Sequence, residues 1–174
     1  VRVAPSPADP QGPLEDIGRV GAGLLESLVR DGERLGVAWG ETMWAVGRHL
    51  RHTTRVGVDL IELKGGVPLQ SKRTREYETM SLFCDAFNAH PRTLHLPVYV
   101  EHVETMSALE RERHVQAVLQ LGREVTTAAF TVGPIAPDAT LFSLDYFTQD
   151  ERDHLLEHAA GDICSRFYDD EGRV

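Results

Sequence analysis

The stretch LGVAWGETMWAVGRHL, residues 35–50, decides the fold that we predict for this chain. Its first five residues form an apolar run of strand length. The second half places apolar or small residues at the spacing of one helix face: Met43, Val46, Gly47 and Leu50. Between the two halves, Gly40 allows close backbone approach and Thr42 is a good residue for starting a helix. The pattern predicts a buried strand, a tight turn and a helix.

A helix start of this kind can bind an anion without any basic side chain. Its first N–H groups are unpaired and lie at the positive end of the helix dipole. In an open α/β sheet, strand-to-helix turns lie at the carboxyl edge of the strands, where ligands bind. We therefore predict a phosphate site at residues 40–43. A plain strand-to-helix turn without a ligand explains the same residues.

Composition narrows the class of protein. The 174 residues carry a formal net charge of -9, which argues against an exposed nucleic-acid-binding surface in this chain. No apolar run reaches the ~18 residues of a membrane span. The two cysteines, Cys84 and Cys164, lie in apolar surroundings and are expected to be buried free thiols, which favours the cytoplasm. A single disulfide between them stays open.

Lysine is rare, because only Lys64 and Lys72 occur among 18 basic residues. Unlike arginine, a partly buried lysine can lose its proton and attack a carbonyl group. Lys64 follows a predicted strand at residues 56–63 and precedes Gly65 and Gly66, which we expect to open space for a ligand. This lysine is predicted at the same sheet edge as residues 40–43. The alternative is a strand-end lysine that reaches solvent.

The rest of the chain continues the alternation of strands and helices, which predicts an α/β fold with a mostly parallel sheet flanked by helices. Helices are predicted at residues 14–29, 76–89 (ended by Pro91), 108–121 and 151–159. Further strands are predicted at residues 94–100 and 125–132, the latter ending at Gly133. Thr148 and Glu151 match a capping box. Residues 70–77, rich in Lys and Arg, are interpreted as a solvated helix start in preference to a mobile loop over the site.

Other motifs exclude several functions. The sequence has neither a Walker pattern nor G-x-G-x-x-G, so nothing supports a nucleotide site, and no hydrolase motif occurs. His154 and His158 have a metal-compatible spacing but no carboxylate or cysteine partner at a telling distance, so we expect no metal and no cofactor. Asp162, in a short apolar passage after a helix, is expected to bind sugar hydroxyls or to cap a turn.

Several blocks in one order carry a family resemblance. LGVAWGETM (35–43), LKGG (63–66), PRTLHLPV (91–98), TVG (131–133) and AAGDICSRFYDDEG (159–172) together resemble the effector-binding domain of the SorC family of bacterial transcriptional regulators. The resemblance is strongest to its deoxyribonucleoside regulator branch, the DeoR proteins of the Bacillus type. It implies a Rossmann-like fold related to glucosamine-phosphate deaminase, ribose-phosphate isomerase and the CoA-transferases.

The resemblance also implies residue roles. The residues that match the phosphate-binding loop are Trp39, Gly40, Glu41, Thr42 and Met43. Lys64 matches the lysine expected to form a Schiff base with open-chain deoxyribose-5-phosphate. Asp162 matches the acidic residue of the GDI block, and Gly133 lies in the loop after the late strand. Glu41 departs from the branch, which has a small hydroxyl residue there, and a carboxylate repels phosphate unless it points away.

The resemblance implies a non-enzymatic, cytoplasmic sensor that binds a sugar phosphate and works as a homodimer or tetramer. DNA would be bound only through an N-terminal helix-turn-helix segment, which is absent before Val1, and the family's domain continues past residue 174. Residues 1–174 are thus expected to be an effector-binding domain that is incomplete at its C-terminus. Two alternatives stay open: a sugar-phosphate isomerase or aldolase on the same fold, and a purely structural oligomerisation module.

Overall fold

A parallel sheet of four short strands lies at the centre of the computed structural model, which describes residues 3–4, 12–66, 74–144 and 146–174. The strand order is β3-β2-β1-β4, and these strands are β1 Arg34–Val37, β2 Asp59–Glu62, β3 His90–Arg92 and β4 Thr127–Ala129. A second, antiparallel sheet has the order β5-β6-β7, with β5 Val132–Gly133, β6 Gly161–Ile163 and β7 Arg166–Tyr168. The chain therefore follows the predicted α/β class and adds a small sheet.

Helices connect the strands. They are α1 Gly12–Leu28, α2 Glu41–His49, α3 Glu76–Phe87, α4 Val103–Leu109, α5 Arg113–Arg123 and α6 Gln149–His158, with a 3-10 turn at Thr140–Leu144. Helices α1 and α2 pack so closely that a side-chain carbon at Gly18 would lie 2.7 Å from the Ala45 carbonyl oxygen. No helix in the described part of the chain is long and apolar enough to cross a membrane.

The core forms where the strand residues meet α2 and α3. Leu35 and Val37 of β1 and Leu60 of β2 are fully buried, and Phe83 and Phe87 of α3 pack into the same cluster. Burial of such side chains contributes about 1.5–3 kcal/mol each relative to exposure. Residues 35–50 thus supply both a central strand and a helix packed against it, as their pattern predicted.

Most predicted elements are confirmed, although the strands are shorter. Helix α3 ends at Asn88, whose left-handed backbone (φ 50°) closes the helix, and not at Pro91. The capping box is formed, because the Thr148 hydroxyl accepts the Glu151 N–H and the Glu151 carboxylate accepts the Thr148 N–H. Cys84 and Cys164 are free and half-buried.

Two predicted elements are wrong. Residues 94–100 form no strand; β3 lies earlier, at His90–Arg92, and only a single bridge pairs Pro97 with Gly66. Pro91 is tolerated inside β3 because this strand is at the sheet edge. The helix predicted at 108–121 is two helices, α4 and α5. In one continuous helix, Leu109 and the buried Val115 would face directions roughly 120° apart.

Two sequence interpretations concern segments outside the described residues. Residues 67–73, which include Lys72 and most of the predicted solvated helix start, are among them. Residues 5–11 of the proline-containing opening are also outside.

Candidate functional site

The carboxyl ends of the central strands meet at one edge of the main sheet. Val37 is paired with Glu62 of β2 on one side and with Ala129 of β4 on the other, so these three strands end at the same level. The chain after each strand therefore leaves from one edge, the position that binds ligands in open α/β sheets.

Helix α2 starts at this edge directly after β1. Gly40 is its N-cap, with φ 147° and ψ 171°, a backbone conformation that essentially only glycine adopts. The first bond of the helix runs from the Trp44 N–H to the Gly40 carbonyl at 2.8 Å. An α-helix leaves the preceding N–H groups, here those of residues 41–43, without a partner inside the helix. Such a terminus favours anions.

Thr42 and Met43 both lie in the first turn of α2. Thr42 is the second residue of α2 and not its cap, and no side chain caps this helix. The Met43 side chain is buried in the core, 4% exposed, so only its backbone N–H is available to a ligand. Because Gly40 has no side chain, it does not cap the first N–H groups of α2, and these groups remain accessible to a ligand.

Lys64 lies on the face of the Trp39 ring. Its Nζ is 3.6 Å from the ring centroid. The Trp39 indole N–H donates a 3.0 Å hydrogen bond to the carbonyl of Gly65, the residue after Lys64. The loop after β1 and the loop after β2 are therefore joined through one buried aromatic side chain.

Burial lowers the pKa of the Lys64 amine, and the nearby acidic groups Asp162, Cys164 and Glu76 partly oppose this shift. A lowered pKa increases the fraction of neutral, nucleophilic amine at neutral pH. The groups that act on Lys64 are thus acidic, whereas Arg48 and Arg75 stack on the other tryptophan, Trp44.

Gly65 and Gly66 pack against protein backbone. The Gly66 N–H donates to the Leu96 carbonyl and the Gly66 carbonyl accepts the Val98 N–H, both at 2.8 Å. Neither glycine lines the cavity beside Lys64. The two glycines allow the chain after Lys64 to pack closely against residues 96–98.

Asp162 reaches the site from the second sheet. It is paired with Gly133 of β5, and its carboxylate fills the space that a side chain at Gly133 would need. Its Oδ2 accepts the Ser165 N–H at 3.1 Å, across the turn between β6 and β7. Burial raises the pKa of the Asp162 carboxyl, while the Ser165 N–H and the charge of Lys64 act in the opposite direction.

These groups surround a cavity of about 340 Å³, within the range of small-molecule sites. It is lined by seven of the residues singled out from the sequence: Trp39, Gly40, Glu41, Thr42, Lys64, Gly133 and Asp162. Lys64 is the one basic side chain among the described lining residues, whereas Glu41, Asp138 and Asp162 are acidic. An anion in this cavity would depend on backbone N–H groups and a single amine.

Sequence reasoning missed part of the wall. The missed lining residues are Ala38, Thr131, Val132, Pro134, Asp138, Ala139, Thr140, Leu141 and Cys164. Thr131 and Cys164 lie inside the TVG and GDICSRF blocks, so the blocks themselves pointed to them. The 3-10 turn at Thr140–Leu144 had no comparable pattern.

His154 and His158 of α6 are the two histidines whose spacing is compatible with a metal ion, although no metal is expected there. In the described part of the chain, no group of three or more His, Cys, Asp or Glu residues could hold a metal ion. The His158 Nδ1 lies 2.9 Å from the His154 carbonyl oxygen, and the two rings stack at 4.2 Å. Both side chains are accounted for by contacts within their own helix.

Comparison with known proteins identifies the class of protein to which this chain is similar. The family model described as "Putative sugar-binding domain" matches residues 1–174. The "Deoxyribonucleoside regulator" of Bacillus subtilis is 37% identical over 171 residues, which cover 98% of this chain and 54% of that protein. The chain thus spans about half the length of this relative.

Solved structures of similar fold also come from transcriptional regulators. A domain described as from a possible sugar-binding transcriptional regulator of Arthrobacter aurescens has a TM-score of 0.84 at 26% identity, covering 97% of this chain and 66% of that one. The full-length sorbitol operon regulator SorC of Klebsiella pneumoniae has a TM-score of 0.82 at 21% identity, covering 99% and 59%. The chain belongs to the family of sugar-binding domains of SorC/DeoR-type bacterial transcriptional regulators. These relatives are described as regulators, in agreement with the non-enzymatic interpretation.

Proposed function

We propose that this domain senses a phosphorylated sugar, most specifically deoxyribose-5-phosphate, and thereby modulates DNA binding by a longer regulator in the bacterial cytoplasm. The observation that carries the proposal is the meeting of a half-buried amine, Lys64, and an uncapped helix start in one cavity. The phosphate would accept hydrogen bonds from the backbone N–H groups of residues 41–43. Asp162 would accept hydrogen bonds from sugar hydroxyls.

The proposed covalent step balances without any other reactant. The neutral Lys64 amine adds to the aldehyde carbon, forming a C–N bond as the C=O π bond breaks, and one amine proton moves from the nitrogen to the oxygen. The product is a carbinolamine. Loss of water from it gives the imine, and a proton on the imine nitrogen gives the cationic form. The lowered pKa of Lys64 supports the first step, since it makes the free amine available at neutral pH.

Borohydride trapping tests the imine. The protein is incubated with deoxyribose-5-phosphate, reduced and weighed, and the expected product carries one reduced sugar phosphate. Lys64→Ala should abolish the adduct, whereas Lys72→Ala, at the chain's other lysine, should retain it. An adduct that persists in Lys64→Ala would disprove the imine assignment. A panel of pentose and hexose phosphates in the same assay, with thermal shift as a second readout, selects among effectors.

The two remaining alternatives predict different results. A structural oligomerisation module predicts that no sugar phosphate changes the melting temperature. An isomerase or aldolase predicts turnover, which needs a group to move protons. Asp162 is an acid near Lys64 that could move protons. The relatives are described as regulators, however, so they give the enzyme alternative no support. Absence of turnover with a positive thermal shift would favour the sensor.

Effector control of a regulator requires the domain to act on a longer assembly. We propose a homodimer or tetramer in which sugar-phosphate binding changes subunit geometry, and DNA contact through a segment outside this chain. Size-exclusion chromatography with light scattering, with and without the sugar phosphate, tests this part independently of the imine.

A further inference from the structure

The indole ring of Trp39 is fixed in position by the chain that follows β2. The ring is 3% exposed, and its N–H is held by the Gly65 carbonyl at 3.0 Å. The same ring lines the cavity that Lys64 lines. A side chain with an anchored edge and one face toward an amine can act on that amine with little freedom to move away.

The ring face also carries an electrostatic effect. A cation 3.6 Å above an indole centroid is attracted by the electron density of the ring, and this attraction strengthens when water is excluded. Burial of Lys64 disfavours its charged form, whereas Asp162, Cys164, Glu76 and the Trp39 ring favour it. A hydrogen bond from the indole N–H to the carbonyl of Gly65, the residue after Lys64, holds the ring in contact with Nζ.

We propose that Trp39 is a positioning residue for Lys64: its ring face fixes Nζ inside the cavity and stabilises positive charge there, first on the ammonium and then on the protonated imine. The second half of this statement rests on the proposed function; the first half does not. The ring does not react, and it forms no bond to the sugar. It sets where the amine sits and how much of the charged form is present.

The first half can be tested without any sugar, because the chain has only two lysines. Reductive methylation with ¹³C-formaldehyde labels Lys64, Lys72 and the amino terminus of the full 174-residue chain. Since Lys64 faces the ring, its methyl protons should resonate upfield of those of Lys72 in the unmutated protein. Lys72→Ala assigns the two lysine resonances, and a Lys64 methyl resonance at the Lys72 position would overturn the proposal.

Titration of the same resonances separates an electrostatic role from a merely structural one. Trp39→Leu removes the ring and the N–H, so the Lys64 midpoint should move to lower pH. Trp39→Phe keeps a weaker ring and should give a smaller shift in the same direction. Trp44→Leu, at the chain's other tryptophan, should leave the midpoint unchanged, because Trp44 stacks with Arg48 and Arg75. Unchanged Lys64 midpoints in folded Trp39→Phe and Trp39→Leu would overturn the proposal.

The second half is tested by trapping. At subsaturating deoxyribose-5-phosphate and fixed pH, Trp39→Leu should reduce the borohydride-trapped adduct about threefold or more, and Trp39→Phe should reduce it less. If the unmutated protein forms no adduct, the imine proposal fails while the upfield shift and the titration still decide the role of Trp39. If the adduct forms equally in all three proteins, the role assigned to the ring in imine stabilisation is wrong.

Discussion

Asp162 lies directly opposite Gly133 in the antiparallel pairing of β5 and β6, and its carboxylate occupies the volume that a side chain at Gly133 would take. The absence of a side chain at one residue therefore fixes the position of an acid at another. This relationship connects the late glycine and the GDI acid, two sequence features 29 positions apart, in one part of the cavity wall.

Gly133→Ala should displace Asp162 and weaken ligand binding. The new Cβ would overlap the carboxylate, which must turn away and lose its position in the cavity. We expect the thermal shift given by deoxyribose-5-phosphate to fall by at least half. Gly23→Ala in α1 is the control, because nothing lies within 4 Å of a Cβ there, and a helix interior favours alanine by up to about 1 kcal/mol. A full ligand shift in Gly133→Ala would contradict this prediction.

Gly40→Ala should cost about 1–3 kcal/mol of folding free energy, although the added carbon has open space around it. The cost comes from φ 147° with ψ 171°, which a side chain disfavours. Urea unfolding measures it, with Gly122→Ala in α5, also in open space, as the matched variant. Equal stabilities of the Gly40 and Gly122 variants would show that the turn after β1 relaxes at no cost.

Glu62 should make stability depend on pH. Burial raises the pKa of this carboxyl from 4.5 to about 7, with Glu76 adding to the rise and the Leu94 N–H opposing it. Because the folded-state pKa exceeds the unfolded value, the stabilising contribution is full below about pH 4.5 and is lost as pH rises through about 7. The loss is roughly 3 kcal/mol.

Glu62→Gln should remove this part of the pH dependence, since the amide oxygen can still accept the Leu94 N–H. The measurement is the free energy of unfolding at several pH values between 4.5 and 8, as the difference between variant and unmutated protein. Glu104→Gln on exposed α4 should leave the slope unchanged. A Glu62→Gln protein with the original slope would show that another group causes it.

Thr148→Ala should cost about 1 kcal/mol, because it removes the side-chain oxygen that accepts the Glu151 N–H at the start of α6. Thr148→Ser should retain most of the stability, since serine supplies the same oxygen. Helix α6 has no buried residues, so few other contacts hold its first turn. Chemical denaturation compares the three proteins, and an alanine variant as stable as the serine variant would contradict a role for the capping box.

Features that depend on neighbours in sequence were predictable. The apolar run and helix spacing at residues 35–50 gave β1 and α2, and the T-x-x-E pattern gave the start of α6. Lys64 could be singled out because lysine is rare and follows an apolar strand. Each of these conclusions uses only the physical preferences of a short segment.

Features that depend on distant partners were not predictable. Cys164 and Ser165 both have positive φ in the turn between β6 and β7, yet neither is a residue that favours that conformation. Residues 138–141 line the cavity together with Gly40 and Lys64, which lie far away in the sequence. Likewise, Trp39 meets Gly65 through a hydrogen bond across 26 positions, which no local pattern encodes.

The cavity has walls from two separate sheets, with Lys64 after a strand of one and Asp162 within the other. A ligand that contacts both residues would link the two sheets. It would thereby restrict the motion of the hairpin formed by β6 and β7. If the proposed ligand contacts both residues, amide exchange in β6 and β7 should be slower in the complex.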